Sequence, residues 1–342
     1  GMDVVGGRAI QLGPRNFLAL TYQSIPVAIT VEGANILTRS LMIFGQGSMR
    51  CHPYLFEELQ LLQAEDKSVA LKQFNTLLFK HLAYTFNRGA RAFAYGITGG
   101  PSHASKQSDT FTKPYYVIIN RMSTDFALTA DMALGLLAGD LKRKEMLSGR
   151  LADIHSYLFI ATSILKYYES GKRTEAEQKH AELALNKALF NAQEAFLGFY
   201  ENFPVKVAAK LVKLICFPFG RPVAKPTDHL KQEVAKLLLQ ENAFREELKK
   251  HVYYTTEATD VMGRMESTFQ MLLTMQPLWD KFKRAESKDK FKGLSFEERI
   301  RDAVAIDFIT PAEADKLLKY NAKRYDSMLT DVFDRELKQE RP

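Results

Sequence analysis

A glutamate followed by a glycine, Glu32-Gly33, stands where a carboxylate could do acid–base chemistry. It follows an apolar run, Ile25 to Val31, and precedes a segment of helical periodicity that starts at Asn35. Burial among apolar neighbours raises the pKa of a carboxyl group, which suits a general base near neutral pH. The alternative is structural, because the helix dipole favours a glutamate in a first turn without any chemistry. From the residues alone, the structural interpretation is favoured.

The histidines and cysteines indicate little other chemistry. None of the seven histidines lies within five residues of another, whereas metal sites on helices use pairs at close helical spacing, so we predict no metal site. We interpret Cys51, beside His52, as a buried thiol next to a turn. With Cys216 as the only other cysteine, a reducing compartment is expected. Gly45-Gln46-Gly47 lacks the third glycine of a dinucleotide fingerprint, since Arg50 stands there, and it is interpreted as a helix-packing feature.

The elements that must position these residues are helices. Gly (19) and Pro (12) are scarce for 342 residues, and apolar residues recur at spacings of three and four from Asn35 onward. Only residues 14–31 have sustained loop or strand character. We therefore predict an all-α fold, a helical bundle packed with a second helical region. Helices are expected over residues 68–97, 115–147, 151–168, 176–203, 228–251, 257–282 and 311–329. The apolar face expected for the first of these consists of Leu71, Phe74, Leu78, Leu82, Phe86 and Phe93.

The positive charge is concentrated in one segment. The net charge is +7 and the pI is near 9.1, and residues 203–226 carry five basic residues and no acid. Lys206, Lys210 and Lys213 fall on one face of a short helix whose other positions are largely apolar. Such a helix lies in the interface of an anionic membrane, or it is a core helix whose lysines extend to solvent. Elsewhere the charges mix, so nucleic-acid binding is not expected.

Two blocks of the sequence resemble a known family. Residues 32–39 (EGANILTR) resemble the Glu-Gly-Thr-Asn/Ala-x-x-x-Arg block of acyl-CoA dehydrogenases, and residues 3–7 (DVVGG) resemble the Gln-x-x-Gly-Gly element of that family. The order and spacing of the two blocks agree with the family. Residues 35–57 and 214–228 resemble the large bacterial long-chain acyl-CoA dehydrogenases of fatty-acid β-oxidation, which carry an extra α-helical C-terminal region.

The resemblance implies that the chain is the C-terminal portion of such an enzyme. Residues 1–101 would be part of the C-terminal helical domain, and residues 102–342 would be the additional helical region. In the family, the glutamate corresponding to Glu32 removes the α-proton of an acyl-CoA thioester while a β-hydride passes to FAD, giving a trans-2-enoyl-CoA. Gly6, Gly7, Gly33 and Ala34 correspond to positions that contact FAD.

Departures from the family pattern limit what is carried over. Asp3 replaces the usual Gln and Ala34 replaces a flavin-contacting Thr, so only backbone contacts to FAD are expected there. The N-terminal helical domain and β-domain, which supply most of the flavin and acyl-CoA sites, are expected in a longer protein, and the isolated chain is expected to be inactive.

The partners implied are an acyl-CoA, a second copy or the missing domains, and a membrane through Lys206, Lys210 and Lys213. We expect the bacterial cytoplasm, with peripheral contact to the inner membrane. The alternative function is a non-catalytic helical module for interaction or membrane association.

Overall fold

The computed structural model describes residues 1–31, 33–101, 109–253, 255 and 259–332, and within them every regular element is helical. The predicted all-α fold is therefore confirmed. The α-helices in chain order are α1 (Met2–Val5), α2 (Ala19–Ser24), α3 (Val27–Val31), α4 (Asn35–Leu37), α5 (Gly47–Cys51), α6 (Leu55–Gln63), α7 (Lys67–Thr98), α8 (Thr112–Leu137), α9 (Glu145–Ser170), α10 (Glu175–Asn202), α11 (Lys206–Cys216), α12 (Asp228–Leu238), α13 (Ala243–Lys249), α14 (Val261–Glu286), α15 (Phe296–Ala305) and α16 (Pro311–Met328). Two 3₁₀-helices, Gly6–Ile10 and Ala138–Arg143, and a π-helix, Thr38–Gln46, complete the set.

The chain forms two compact units that differ from the two sequence regions proposed above. One unit combines residues 1–28 with residues 246–342, and the other consists of residues 29–245. The family boundary expected between residues 101 and 102 stays a prediction, because the compact units follow packing rather than homology.

The core of the 29–245 unit lies between α8, α9 and α10. These helices are packed side by side, and large side chains from α9 and α10 are completely buried, among them Leu151, Leu185 and Phe196. Full burial of such side chains contributes about 1.5–3 kcal/mol each. These three helices therefore form the central layer of the unit and contain most of its core.

The other unit has a smaller core between α14, α15 and α16. Phe282, Ile300 and Leu317 are fully buried there, and the ring of Trp279 contacts that of Tyr320 edge-on with 4.9 Å between centroids. The unit is therefore a separate helical assembly with a core of its own.

Helix ends follow the expected chemistry. Gly99, at the end of α7, adopts a left-handed φ of 87°, which glycine tolerates without strain. Thr310 caps α16 in a capping box with Glu313, directly before Pro311. Both predicted helix boundaries are confirmed.

Several expectations about local structure are wrong. The helix expected over residues 115–147 ends at Leu137, and residues 228–251 form α12 and α13 rather than one helix. Residues 14–31 contain α2 and α3, which are interrupted at Pro26, rather than extended structure. Helix α7 exists as predicted, but four members of its expected core face are exposed: Leu71, Leu82, Phe86 and Phe93.

The physical reason lies in the small residues of α7, which permit close approach to its neighbours. The buried residues of the helix are Ala70, Ala92 and Gly96. A Cβ on Gly96 would lie 2.6 Å from the carbonyl oxygen of Ile215. Because α7 packs against its neighbours through small residues that allow close approach of the backbones, its large apolar side chains lie on the exposed face.

Candidate active site

The predicted catalytic residue, Glu32, lies outside the described residues, but the segments on both sides of it are described. Helix α3 ends at Val31, and α4 begins at Asn35 after an extended Ala34. Gly33 has a left-handed φ of +83°, a conformation that favours glycine. Glycine is therefore favoured at position 33, between the end of α3 and the start of α4.

The four residues expected to contact FAD belong to different units. Gly6 and Gly7 begin a 3₁₀-helix in the unit that contains residues 1–28, whereas Gly33 and Ala34 lie in the 29–245 unit. Gly6 and Gly7 are exposed, and a Cβ built on either would meet no atom within 4 Å. The backbone at these two glycines is thus open to a ligand. Their contact with FAD stays a prediction.

The arginine that ends the resembling block, Arg39, is fixed to a helix far away in sequence. Its Nε and Nη2 atoms donate to the two carboxylate oxygens of Asp153 in α9 at 2.6 and 2.5 Å, across 114 residues. The hydrogen bond to Asp153 also raises the pKa of Arg39 further above its already high value. A two-point pair of this kind fixes orientation as well as charge.

Two further contacts hold the same segment against α9. A Cβ on Gly149 would lie 2.6 Å from Nη1 of Arg39, so the absence of a side chain at Gly149 makes room for the guanidinium. The buried hydroxyl of Ser148 donates to the carbonyl oxygen of Ser40 at 2.8 Å. The helical segment that begins just after Glu32 is therefore positioned by α9, a role for Asp153 and Gly149 that the sequence analysis missed.

An apolar cavity of about 260 Å³ lies along this segment. Its lining residues come from the π-helix, α5, α6, the end of α8, the 3₁₀-helix Ala138–Arg143 and, through Ser148, α9. An apolar cavity of about 150 Å³ already holds a benzene molecule, so this one has room for several methylene groups. The side chains that make its wall apolar are Leu41, Met49, Leu55, Leu59, Leu134 and Leu141, and Lys142 also lines it.

The basic segment forms helix α11, which has three distinct faces. Ala209, Val212 and Cys216 are buried against the unit. The exposed apolar side chains are Val207, Leu211 and Leu214, and the basic ones are Lys206 and Lys210, which are exposed, and Lys213, which is half-buried. The helix thus packs on the core with one face and presents a second apolar strip, bordered by lysines, outward.

No single described helix combines the length and apolarity needed to cross a membrane, although the bent pair formed by residues 19–31 and 35–51 meets that test by length and composition.

Histidines that are distant in sequence come together, which a search for local spacing could not detect. The ring centroids of His52 and His81 are 4.7 Å apart, and Asp131 of α8 lies beside them. Cys51, expected to be buried, is exposed, and it is His52 that is directed inward, with 9% of its side chain exposed.

These features define a domain that is helical throughout its described residues and has a left-handed glycine, Gly33, followed by an arginine that a neighbouring helix holds. Comparison with known families identifies the domain: residues 49–333 match the family described as acyl-CoA dehydrogenase, C-terminal, bacterial type. The chain belongs to this family, as the resemblance implied. No solved structure matches the chain.

Proposed function

We propose that this chain is the C-terminal part of an FAD-dependent acyl-CoA dehydrogenase that oxidises acyl-CoA to trans-2-enoyl-CoA in fatty-acid β-oxidation. The observation that carries the proposal is the family match over residues 49–333, which adjoins the Glu32–Arg39 block along the chain. Each supports the other, because the block resembles the catalytic segment of the same family.

Glu32 is the base in this proposal. Its carboxylate takes a proton from the carbon next to the thioester carbonyl, and the electron pair left on that carbon forms the new double bond as hydride leaves the next carbon. FAD, when bound, accepts this hydride. Abstraction of so weakly acidic a proton requires a site with little water. An apolar cavity lined by the segment that follows the base, including Leu41 and Met49, supports the proposal of such a site.

Other residues of the chain would bind FAD and the acyl chain and orient the segment that carries the base. Gly6, Gly7, Gly33 and Ala34 would contact FAD through their backbones, and the open space at Gly6 and Gly7 fits such contacts. Arg39, held by Asp153, fixes the segment that follows the base. The 260 Å³ cavity fits part of an acyl chain. The isolated chain is expected to be inactive, because the matched family is a C-terminal domain and its enzymes bind FAD and the thioester largely with other domains.

The test is the replacement Glu32→Gln in the intact enzyme that contains this chain. We expect turnover of acyl-CoA to be abolished while FAD remains bound, since Gln keeps the shape but cannot accept the proton. Glu65→Gln, at an exposed position, is the matched control and should leave turnover unchanged. Near-normal turnover of Glu32→Gln would remove Glu32 from the role. If the intact protein neither binds FAD nor turns over acyl-CoA, the alternative of a non-catalytic helical module would be favoured.

We also propose that α11 makes peripheral contact with an anionic membrane, and that the chain associates with a second copy in a homodimer or with the N-terminal domains of the intact protein. The support for membrane contact is the exposed strip of Val207, Leu211 and Leu214 beside Lys206 and Lys210. Apolar side chains with adjacent lysines fit the boundary between acyl chains and anionic headgroups.

Vesicle co-sedimentation tests the contact. The Lys206/Lys210/Lys213→Glu variant should lose binding to vesicles that contain anionic lipid. The control variant, Lys166/Lys187/Lys236→Glu, has the same net charge but changes exposed lysines outside α11. It should bind the anionic vesicles more strongly than the α11 variant does. Equal binding by the two variants would contradict a specific role for α11.

A further inference from the structure

Four side chains from separate segments meet inside the 29–245 unit. His52 follows α5, Glu58 lies on α6, His81 on α7 and Asp131 on α8. Asp131 has 5% and Glu58 11% of its side chain exposed. The cluster is therefore inside the unit and not a solvated patch of surface charge.

His52 is held in one orientation. Its Nδ1 atom accepts the backbone N–H groups of Tyr54 and Leu55 at 3.3 and 3.2 Å, at the start of α6. Its Nε2 atom lies 3.0 Å from Oδ1 of Asp131. Because Nδ1 accepts, Nε2 carries the proton and donates it to the carboxylate. The other oxygen of Asp131 accepts the hydroxyl of Thr85 at 2.9 Å.

His81 is oriented by a carboxylate of its own. Its Nδ1 atom lies 2.8 Å from Oε1 of Glu58, and the ring of Tyr54 stacks on the imidazole with 5.4 Å between centroids. A carboxylate on one ring nitrogen leaves the other nitrogen with a lone pair. This carboxylate–histidine arrangement is the one that supports histidine ligands in metal sites.

The charges of the cluster are unbalanced. Among the described residues, the only ion-pair partners of Glu58 and Asp131 are the two histidines. A nitrogen ligand must be unprotonated, so with both imidazoles acting as ligands the two carboxylates face the cluster and a bound cation balances their charge.

We propose that His52, His81 and Asp131 bind one divalent transition-metal ion of the Zn²⁺ type, with Glu58 supporting His81. One ligand atom from each of the three lies within 4.8 Å of the others. Metal–ligand bonds of about 2.0–2.2 Å place tetrahedral ligands about 3.4 Å apart. A pair at the 4.8 Å limit would therefore close by about 1.4 Å on binding, while His52 Nε2 and Asp131 Oδ1, now 3.0 Å apart, would separate slightly. Two imidazoles and a carboxylate suit Zn²⁺ and other divalent first-row transition metals rather than Mg²⁺ or Ca²⁺.

Binding has a structural cost. A metal at Nε2 displaces the one ring proton of His52, which now lies between Nε2 and Asp131. Either that proton moves to Nδ1, which then no longer accepts the N–H groups of Tyr54 and Leu55, or the proton leaves and the ring binds as an imidazolate. We therefore expect weaker binding than at structural zinc sites of four thiolates or imidazoles. This inference does not rest on the proposed dehydrogenase function, because it concerns only the packing of α5 to α8.

The experiment is a titration of the chelator-treated, untagged chain with Zn²⁺ by calorimetry and with Co²⁺ by visible absorption. We expect one ion per chain and Co²⁺ bands typical of four or five ligands. Asp131→Asn and His81→Gln should each weaken binding by about tenfold or more, and Glu58→Gln by about 10–100-fold. His229→Gln removes an exposed histidine and serves as the control.

Two outcomes would overturn the proposal. One is the absence of stoichiometric binding of either metal by the parent chain. The other is equal affinity in the parent, Asp131→Asn and His229→Gln chains, which would indicate binding at surface histidines. The first outcome is measured on the parent chain alone, so it can be determined even if a variant does not fold.

Discussion

Helices α9 and α10 differ from α7 in where they place their large apolar side chains. Phe196 of α10 is completely buried, whereas Phe86 of α7 is 80% exposed. Helix α7 also has no acidic residue and carries five basic ones. The comparison shows that apolar periodicity predicts a helix but not which side of it faces the core, since α7 uses alanine and glycine for its contacts.

The largest effect is expected from Phe196→Ala in the central layer. Removal of a fully buried aromatic ring leaves a cavity, and the free energy of unfolding should fall by about 3–5 kcal/mol. Urea unfolding followed by circular dichroism measures it. A loss below about 1 kcal/mol would mean that the central layer is not the core of the unit.

A buried carboxyl group in α8 should make the stability of the same layer depend on pH. Burial raises the pKa of Asp125 to about 7 from 3.8, against the attraction of Arg121, whose Nε lies 3.9 Å away. The folded chain thus holds this proton more tightly than the unfolded chain does. The contribution of Asp125 to stability should fall as the pH rises from 3.8 to about 7, by up to about 4 kcal/mol.

The replacement Asp125→Asn isolates this contribution, because the amide does not ionise. Between pH 5 and pH 8 the stability of the variant relative to the parent should increase. Asp140→Asn, at an exposed carboxylate, should show no comparable trend. Parallel pH profiles for the parent and Asp125→Asn chains would contradict the raised pKa.

A smaller effect is expected where the candidate catalytic segment meets α9. Asp153→Asn removes one charge of the pair with Arg39, and both side chains are partly exposed, so stability should fall by about 1 kcal/mol or less. The backbone amides of residues 35–51 should exchange hydrogen faster, while those of α10 should not change. Uniform acceleration across the unit would show that the pair supports the whole fold rather than this segment.

The smallest effect is expected from Phe86→Ala, the counterpart of Phe196→Ala on α7. The free energy of unfolding should change by less than about 0.5 kcal/mol, because little is lost when an exposed ring is truncated. Binding of a hydrophobic dye should decrease at the same time. A loss of stability as large as that of Phe196→Ala would erase the distinction between the two helices.

The parts of the fold that were predictable from the sequence are those controlled by local chemistry. The extent of α7, the glycine at its end and the cap at Thr310 depend on residues within a few positions of one another. The exposed face of α7 was not predictable, because it depends on close contact between Gly96 and a residue more than a hundred positions away.

The candidate site divides in the same way. The glycine at position 33 meets a local requirement, because its backbone has a left-handed φ of 83° that favours glycine. The partner of Arg39, and the meeting of His52 with His81 and Asp131, arise only from packing. Spacing rules detect candidate ligands that lie on one helix and cannot detect residues that meet from three separate segments.

The most direct test of the proposed function is exchange of the α-proton of a bound acyl thioester. A 3-thia-acyl-CoA cannot lose a β-hydride, so in heavy water it reports the base alone. The intact enzyme should catalyse deuterium incorporation at the α-carbon, and the Glu32→Gln enzyme, with FAD still bound, should not. Undiminished exchange in the Glu32→Gln enzyme would contradict the assignment of Glu32 as the base.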